Sequence, residues 1–310
     1  MTNDDGVHAP GLAALTRALV TWADAAAASG GPAHQIVVVA PSSNYSGAGA
    51  AVGSVADRTA IPYQRAKVEG AEQVEAYGLD ASPALSVIAG AMGAVGPKPD
   101  LVLSGINYGV NVGRSVLHSG TVGAALTASQ LGISALAVSL RAGVTPDPWE
   151  SAAALAVALI PVLASGPPRT VLNLNVPALP LGEIRGLRWA RVSGAGLIKA
   201  ASGTSGSSGS SGWESPNRPE MEGPAAVEGA LAIMEAGPDE KGEIVLRVGS
   251  PFPRSADMET ADASEDATLV AQGYAALTAL RGPRADDEPA LHDVLDRGLA
   301  AALAPLGIGN

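Results

Sequence analysis

The feature that most constrains the fold is an alternation of short apolar runs with longer helical stretches. Apolar, largely β-branched runs occupy residues 35–40, 101–103, 133–138 and 171–176. Helical stretches occupy residues 82–95, 119–131 and 149–163. Continuous apolarity is typical of strands that are buried on both faces of a parallel sheet. Strands that alternate with helices predict an α/β fold, a three-layer αβα, Rossmann-like doubly wound sheet that binds ligands at the carboxyl ends of its strands.

The alternation stops near residue 187. Later strand-like runs, which lack regular helices between them, occupy residues 187–192, 243–248 and 274–280. Residues 202–212 contain only Ser, Gly and one Thr, a composition that predicts a flexible loop. The acidic tract 257–266 is expected to be solvated. We therefore predict a core of residues 1–186 and a β-rich C-terminal extension of residues 187–310, packed on the core as one domain.

Composition excludes several classes of function. The 310 residues include 19 basic and 30 acidic side chains, a net charge of −11, which argues against a nucleic-acid polymer or an anionic membrane as partner. The absence of cysteine excludes disulfides, zinc–thiolate sites, iron–sulfur clusters and a Cys nucleophile. The most apolar stretch, residues 152–164, is too short to span a bilayer, and the first residues do not resemble a secretion signal. We expect a soluble, cytoplasmic protein.

Four polar clusters follow predicted strands or precede predicted helices. They read TNDDGVHAPG at 2–11, SSNYSGAG at 42–49, SGINYGVNVG at 104–113 and SGTVGAAL at 119–126. Adjacent carboxylates at Asp4 and Asp5 are costly unless a cation neutralises them, although Asp-Asp-Gly alone is more often a turn. The Asn-rich cluster could be a shaped binding loop or an ordinary turn. Ser119 could mark an anion-binding helix start or a plain N-cap.

Several common enzyme signatures are missing from the sequence. Val52 stands where a dinucleotide fingerprint needs Gly or Ala, so nicotinamide-cofactor binding is weakly supported. Neither a G-x-S-x-G serine elbow nor a phosphate-binding P-loop with its lysine is present. The four histidines do not form a short metal-binding spacing.

Taken in order, the four clusters resemble the SurE family of metal-dependent nucleotide phosphatases. The family shows TNDDG, a loop of the form AP…SGAG, then SGIN-G-N-G and SGTVGAA, and this chain also has later echoes at 172–177 and 273–280. The resemblance therefore extends over most of the chain. It implies a 5'-nucleotidase, an enzyme that hydrolyses nucleoside 5'-monophosphates to nucleoside and phosphate.

The resemblance also implies the residues of the site. The metal ligands would be Asp4, Asp5, Ser46 and Asn107. All four offer oxygen, which suits one Mg²⁺ or Mn²⁺ per subunit. The substrate phosphate would be held by Asn111, Ser119, Gly120 and Thr121. Asp4 and Asp5 would be catalytic, as base or nucleophile, and the metal would activate or orient a water molecule.

The resemblance further implies that the extension contains an arm exchanged between subunits, hence a homodimer or homotetramer. Two alternatives remain open: a broader phosphatase acting on 3'-nucleotides or polyphosphate, and a non-catalytic protein that binds nucleotide or phosphate. Only Tyr45, Tyr63 and Tyr108 are candidates to stack on a base near the site, so loose base selectivity is expected.

Three departures from the family pattern qualify these expectations. Family members usually have a short apolar strand directly before TNDDG, whereas here Met1 precedes Thr2, and we hypothesise that the native chain begins upstream. Leu85 stands where the family tends to have an acid. The segment 42–45 lacks the charged residues often found there, which favours a different substrate preference.

Overall fold

The computed structural model describes residues 1–53, 60–143, 145–194, 230–235, 243–248, 252 and 261–282. The Ser/Gly-rich loop predicted at 202–212 lies outside these residues. The strands are β1 Val37–Pro41, β2 Tyr63–Ala66, β3 Glu75–Leu79, β4 Leu101–Tyr108, β5 Ser134–Leu140, β6 Val171–Val176, β7 Leu187–Trp189, β8 Ala230–Glu235, β9 Glu243–Val248 and β10 Ala275–Leu280. The α-helices are α1 Pro10–Ala28, α2 Pro83–Ala91, α3 Gly120–Gln130, α4 Trp149–Ala158, α5 Ile160–Ser165 and α6 Asp266–Ala271.

The strands form a mixed, mainly parallel arrangement. One sheet has the order β1-β3-β2 and a second has the order β4-β5-β6-β10-β7, while β8 and β9 pair separately. Strands β4, β5 and β6 are parallel, and β10 is antiparallel to β6. The α/β class with helices flanking a largely parallel sheet is therefore confirmed. The described residues between 1 and 280 belong to one compact unit, in which β7 and β10 of the C-terminal part extend the main sheet.

Met1 and Thr2 run between β1 and β4 and connect the two sheets. The Met1 nitrogen donates a hydrogen bond to the Val37 carbonyl at 2.6 Å, and the Met1 carbonyl accepts one from the Val39 N–H at 2.8 Å. On the other side, Thr2 exchanges hydrogen bonds with Leu103 and Gly105 at 3.0 and 2.9 Å. This parallel pairing places the acidic turn that follows Thr2 at the carboxyl edge of the sheet.

Helices cover both faces of the main sheet, as the three-layer prediction requires. On one face α1, α4 and α5 enclose a core that includes Leu15, Leu136 and Leu163. On the other face α2 and α3 pack through smaller side chains such as Val122 and Ala125. Small side chains let the α3 backbone lie close to the sheet and to neighbouring loops. Among the described residues, no helix is long and apolar enough to cross a membrane.

Most predicted elements are confirmed, with shifted ends. The stretch predicted as one helix at 149–163 divides into α4 and α5 around Leu159, because Pro161 cannot donate the hydrogen bond that would continue α4. The strand predicted at 187–192 ends at Trp189, and β4 continues through a register shift to Tyr108.

The prediction that the acidic tract is solvated fails at Asp266. Asp262 lies at the surface and pairs with Arg191, but Asp266 is fully buried. Its carboxylate accepts hydrogen bonds from the N–H groups of Gly113 and Ser193, both at 3.0 Å, and from that of Ala267 at 2.8 Å. A carboxylate with several N–H donors can be buried without a cation. Asp266 thereby ties the Asn-rich loop to the C-terminal part of the chain.

We predict that Asp266→Ala destabilises the protein by on the order of 3 kcal/mol, because two buried N–H groups from distant segments lose a charged acceptor. Urea unfolding followed by circular dichroism measures this. The matched control is Asp262→Ala in the same tract, which removes only exposed contacts, the pair with Arg191 and two hydrogen bonds from Ser264, and should shift the midpoint much less. Equal midpoints for the two variants would contradict the role of Asp266.

Candidate metal and phosphate site

The acidic turn is shaped by Asn3 and Gly6. The buried Asn3 side chain donates to the Gly6 carbonyl at 2.9 Å and accepts from the Gly6 N–H at 3.3 Å. Gly6 has a φ of +106°, which favours glycine. These contacts close a tight turn around Asp4 and Asp5. The turn lies between the end of the Met1–Thr2 pairing and the start of α1.

Asp4 is buried against the first turn of α3. One carboxylate oxygen accepts the Thr121 N–H at 3.0 Å and the other accepts the Thr121 hydroxyl. A Cβ on Gly120 would lie 2.7 Å from the Asp4 Cβ, so only glycine allows this approach. The α3 dipole favours a negative charge at this end. Burial nevertheless raises the pKa of Asp4, although the hydrogen bonds from Thr121 act in the opposite direction.

Asp5 is half-buried and less constrained. One of its oxygens, Oδ2, accepts the backbone N–H of Tyr108 at 3.1 Å. Burial, and then the negative charge of Asp4, raise the pKa of Asp5 to about 6. The two carboxylates therefore destabilise each other in the folded protein.

Nothing in the described part of the chain neutralises this pair. The ion pairs there are Arg17–Glu150, Arg65–Glu75 and Arg191–Asp262, which involve neither carboxylate. The described residues also contain no group of three or more His, Cys, Asp or Glu that could hold a metal. Two adjacent carboxylates without a cation fit a divalent metal of the Mg²⁺ or Mn²⁺ type, provided that neutral oxygen donors complete the ligand set.

Asn107 and Ser46 are the two neutral donors that the sequence predicts. Asn107 follows the register shift in β4, and its side-chain nitrogen donates to the Gly109 carbonyl at 2.5 Å. No hydrogen bond within the described residues uses its amide oxygen. Ser46 is exposed, in a loop tied to the acidic turn by a 2.7 Å hydrogen bond from the Tyr45 N–H to the Asp4 carbonyl. The backbone thus joins the segments of all four predicted ligands.

The predicted phosphate residues have protein partners of their own. The Ser119 hydroxyl accepts the Val122 N–H at 3.1 Å and acts as the N-cap of α3. Thr121 directs both its N–H and its hydroxyl at Asp4. Asn111 donates its side-chain amide to the Ser139 hydroxyl at 2.8 Å. Contact of these residues with a phosphate stays a prediction.

Two buried asparagines that the sequence reasoning did not assign to the site hold Asn111 in place. The Asn175 oxygen accepts the Asn111 N–H at 2.7 Å, and the side chains of Asn173 and Asn175 donate to the Asn111 carbonyl at 2.9 and 3.0 Å. Both belong to β6, whose residues are all buried. A signal was present in the sequence, since polar amides inside an otherwise apolar, buried strand need partners.

Residues 1–197 match the family model described as survival protein SurE. The chain belongs to the SurE family. It is 39% identical over 193 residues to the 5'/3'-nucleotidase SurE of Cronobacter sakazakii, covering 62% of this chain and 68% of that protein. It is 41% identical over 194 residues to the 5'-nucleotidase SurE of Pseudomonas putida, covering 62% and 70%. The solved SurE protein of Aquifex aeolicus superposes with a TM-score of 0.62 at 26% identity, covering 96% of this chain and 97% of that one.

We predict that Asp5→Asn stabilises the metal-free protein at neutral pH. A carboxyl whose pKa rises from 3.8 in the unfolded chain to about 6 on folding opposes folding above pH 6 and ceases to do so as the pH falls below 4. The amide of Asn removes this penalty, so the free energy of unfolding should rise by up to about 3 kcal/mol at pH 7.5. Urea unfolding in EDTA at pH 7.5 and 4.5 tests it, and a variant that is no more stable than the native chain at pH 7.5 would contradict it.

We also predict that Gly120→Ala weakens Mn²⁺ binding roughly 10–100-fold, because the new methyl group displaces the Asp4 carboxylate. Calorimetric titration with Mn²⁺ measures the affinity. Gly182→Ala is the matched control, since a Cβ there meets nothing within 4 Å. Unchanged affinity in Gly120→Ala would show that Asp4 is not a ligand.

Proposed function

We propose that this SurE-family chain is a phosphoric monoester hydrolase that converts nucleoside 5'-monophosphates to nucleoside and phosphate, using one Mg²⁺ or Mn²⁺ per subunit. The observation that carries the proposal is the Asp4–Asp5 pair. Asp4 is a buried carboxylate against the start of α3, Asp5 is a half-buried one at the end of β4, and neither has a cation partner in the described part of the chain. Relatives at 39% and 41% identity are named as nucleotidases, which supports the same reaction here.

The proposed ligands are Asp4, Asp5, Ser46 and Asn107. When bound, a divalent cation would neutralise charge on the phosphate and supply Lewis-acid chemistry. Asp4 accepts hydrogen bonds on both oxygens and serves to hold the site rigid. Asp5 accepts on only one oxygen within the described residues and is more exposed, so we assign it the direct role towards water or phosphorus, as base or nucleophile.

The phosphate would lie beside the first turn of α3, near Ser119, Gly120 and Thr121. The N–H groups of Thr121 and Val122 already bind Asp4 and Ser119, which leaves the Ser119 hydroxyl hydrogen as a donor for the phosphate. Hydrogen bonds to residues of β5 and β6 hold Asn111 in place, and they would thereby position the loop that follows Asn107 beside the phosphate. We propose that Asn111 acts with these three residues.

A second substrate class follows from the relatives. The Cronobacter sakazakii protein is named a 5'/3'-nucleotidase, and we propose that 3'-nucleotides are also substrates of this chain. The partner is a small nucleotide and not a nucleic-acid polymer, in keeping with the net charge of −11.

We further propose the predicted organisation into a core of residues 1–186 and an extension of residues 187–310 that carries an oligomerisation arm. Two large apolar side chains on the short strand β7 support a subunit contact, because Leu187 and Trp189 are 38% and 64% exposed. A homodimer or homotetramer in the cytoplasm is the assembly that we propose.

The deciding experiment is phosphate release from a panel of 5'- and 3'-nucleoside monophosphates and tripolyphosphate, with Mn²⁺, Mg²⁺ or EDTA. We expect metal-dependent release that Asp4→Asn and Asp5→Asn each reduce by roughly 100-fold or more. Asp24→Asn, an exposed position on α1, is the matched control and should retain activity. Release that persists in EDTA would refute the metal site, and binding of Mn²⁺ and nucleotide without release would favour a binding protein.

A further inference from the structure

The residue that hydrogen-bonds Asp5 also carries an exposed aromatic ring. Tyr108 ends β4, and its backbone N–H donates to the Asp5 Oδ2 at 3.1 Å. The next residue is also fixed, since the Gly109 N–H donates to the Leu140 carbonyl at 2.8 Å. Tyr108 as a whole residue remains 37% exposed. An aromatic surface is therefore attached to the acidic pair by a backbone that is held on both sides.

A second ring lies against the first. The ring centroids of Tyr108 and Trp149 are 5.9 Å apart and the planes are tilted by 47°. Trp149 begins α4 and packs against the core that α1, α4 and α5 enclose. It lies close to the start of α1, because a Cβ on Gly11 would be 2.9 Å from the indole Cζ3. The indole is thus wedged between α1 and Tyr108. Because the planes are tilted, the two rings do not form a parallel stack, and Tyr108 keeps exposed surface.

The other tyrosines expected near the site are placed differently. Tyr63 is on β2 at the outer edge of the three-stranded sheet, and its ring lies 5.8 Å from that of Tyr77. No contact within the described residues joins Tyr63 to the acidic turn. Tyr45 approaches the turn through its backbone N–H, which bonds the Asp4 carbonyl. Only Tyr108 combines a bond to a proposed catalytic carboxylate with a neighbouring indole.

We propose that Tyr108, supported by Trp149, binds the base of the nucleotide by stacking, so that the site selects nucleotides over phosphoesters without a base. The proposal rests on the function proposed above. A planar base is recognised by an aromatic face whatever its edge groups, because every base has a π surface. The Tyr108–Trp149 pair therefore accepts purines and pyrimidines alike. It contributes binding energy to a nucleotide but not to a sugar phosphate, which has no base to stack.

The test compares 5'-AMP with ribose 5-phosphate, which carries the same phosphoester but no base, at saturating Mn²⁺. We expect Tyr108→Ala to raise KM for 5'-AMP about 5–150-fold, the range for loss of one base–aromatic stack. The kcat for 5'-AMP and both constants for ribose 5-phosphate should stay at the native values. Tyr108→Phe should restore the native KM, and Tyr63→Ala is the matched control.

Equal losses on both substrates would overturn the proposal, because they would show that Tyr108 acts only on the carboxylate site. No change with either substrate would overturn it as well. If the native protein releases phosphate from neither compound, the proposed function fails, and calorimetric binding of 5'-AMP and ribose 5-phosphate then decides the base site separately. A Tyr108→Ala variant that binds both compounds like the native protein would refute it.

Discussion

The contact between Asp4 and the start of α3 is the constraint on which the site depends. Thr121 donates two hydrogen bonds to a carboxylate that lies 117 residues earlier in the chain. Gly120 permits the approach because it has no Cβ to collide with Asp4. This contact therefore fixes three parts of the molecule relative to one another: Asp4, helix α3 and the loop before that helix. The adjacent Asp5 is left with a single N–H donor among the described residues, which makes it the freer of the two.

The sequence predicted the layers well and the polar connections poorly, for a physical reason. The bounds of strand β6 were predicted residue for residue from its Val and Leu residues, although the strand also contains two buried asparagines. Burial of Asp266 was not predicted, because local composition cannot show that Gly113 and Ser193 supply N–H donors from other parts of the chain. Trp149 was placed on a helix but not near the site, since its contact with Tyr108 arises only when α4 packs against the sheet.

The site residues divide in the same way. Family motifs select Asp4, Asp5, Ser46 and Asn107 together, and the structure ties their segments to one another through backbone hydrogen bonds. Motifs do not reveal that Thr121 and Asn111 already have strong protein partners, because a hydroxyl or amide in a loop is equally suited to a ligand or to a neighbouring strand. The supporting residues Asn173 and Asn175 lie in the later family echo at 172–177, which assigns them no role, yet they determine where the Asn111 backbone lies.

The bond from Gly113 to Asp266 has a consequence for the order in which the molecule is built. The loop from Asn107 to Gly113 leaves the ribosome long before residue 266 is synthesised, and until then the Gly113 N–H lacks its native acceptor. Strand β10 is likewise required between β6 and β7 before the main sheet is continuous. The Asn-rich loop that ends at Gly113 therefore reaches its final geometry late in translation. Such a dependence couples the appearance of a finished site to synthesis of nearly the whole described chain.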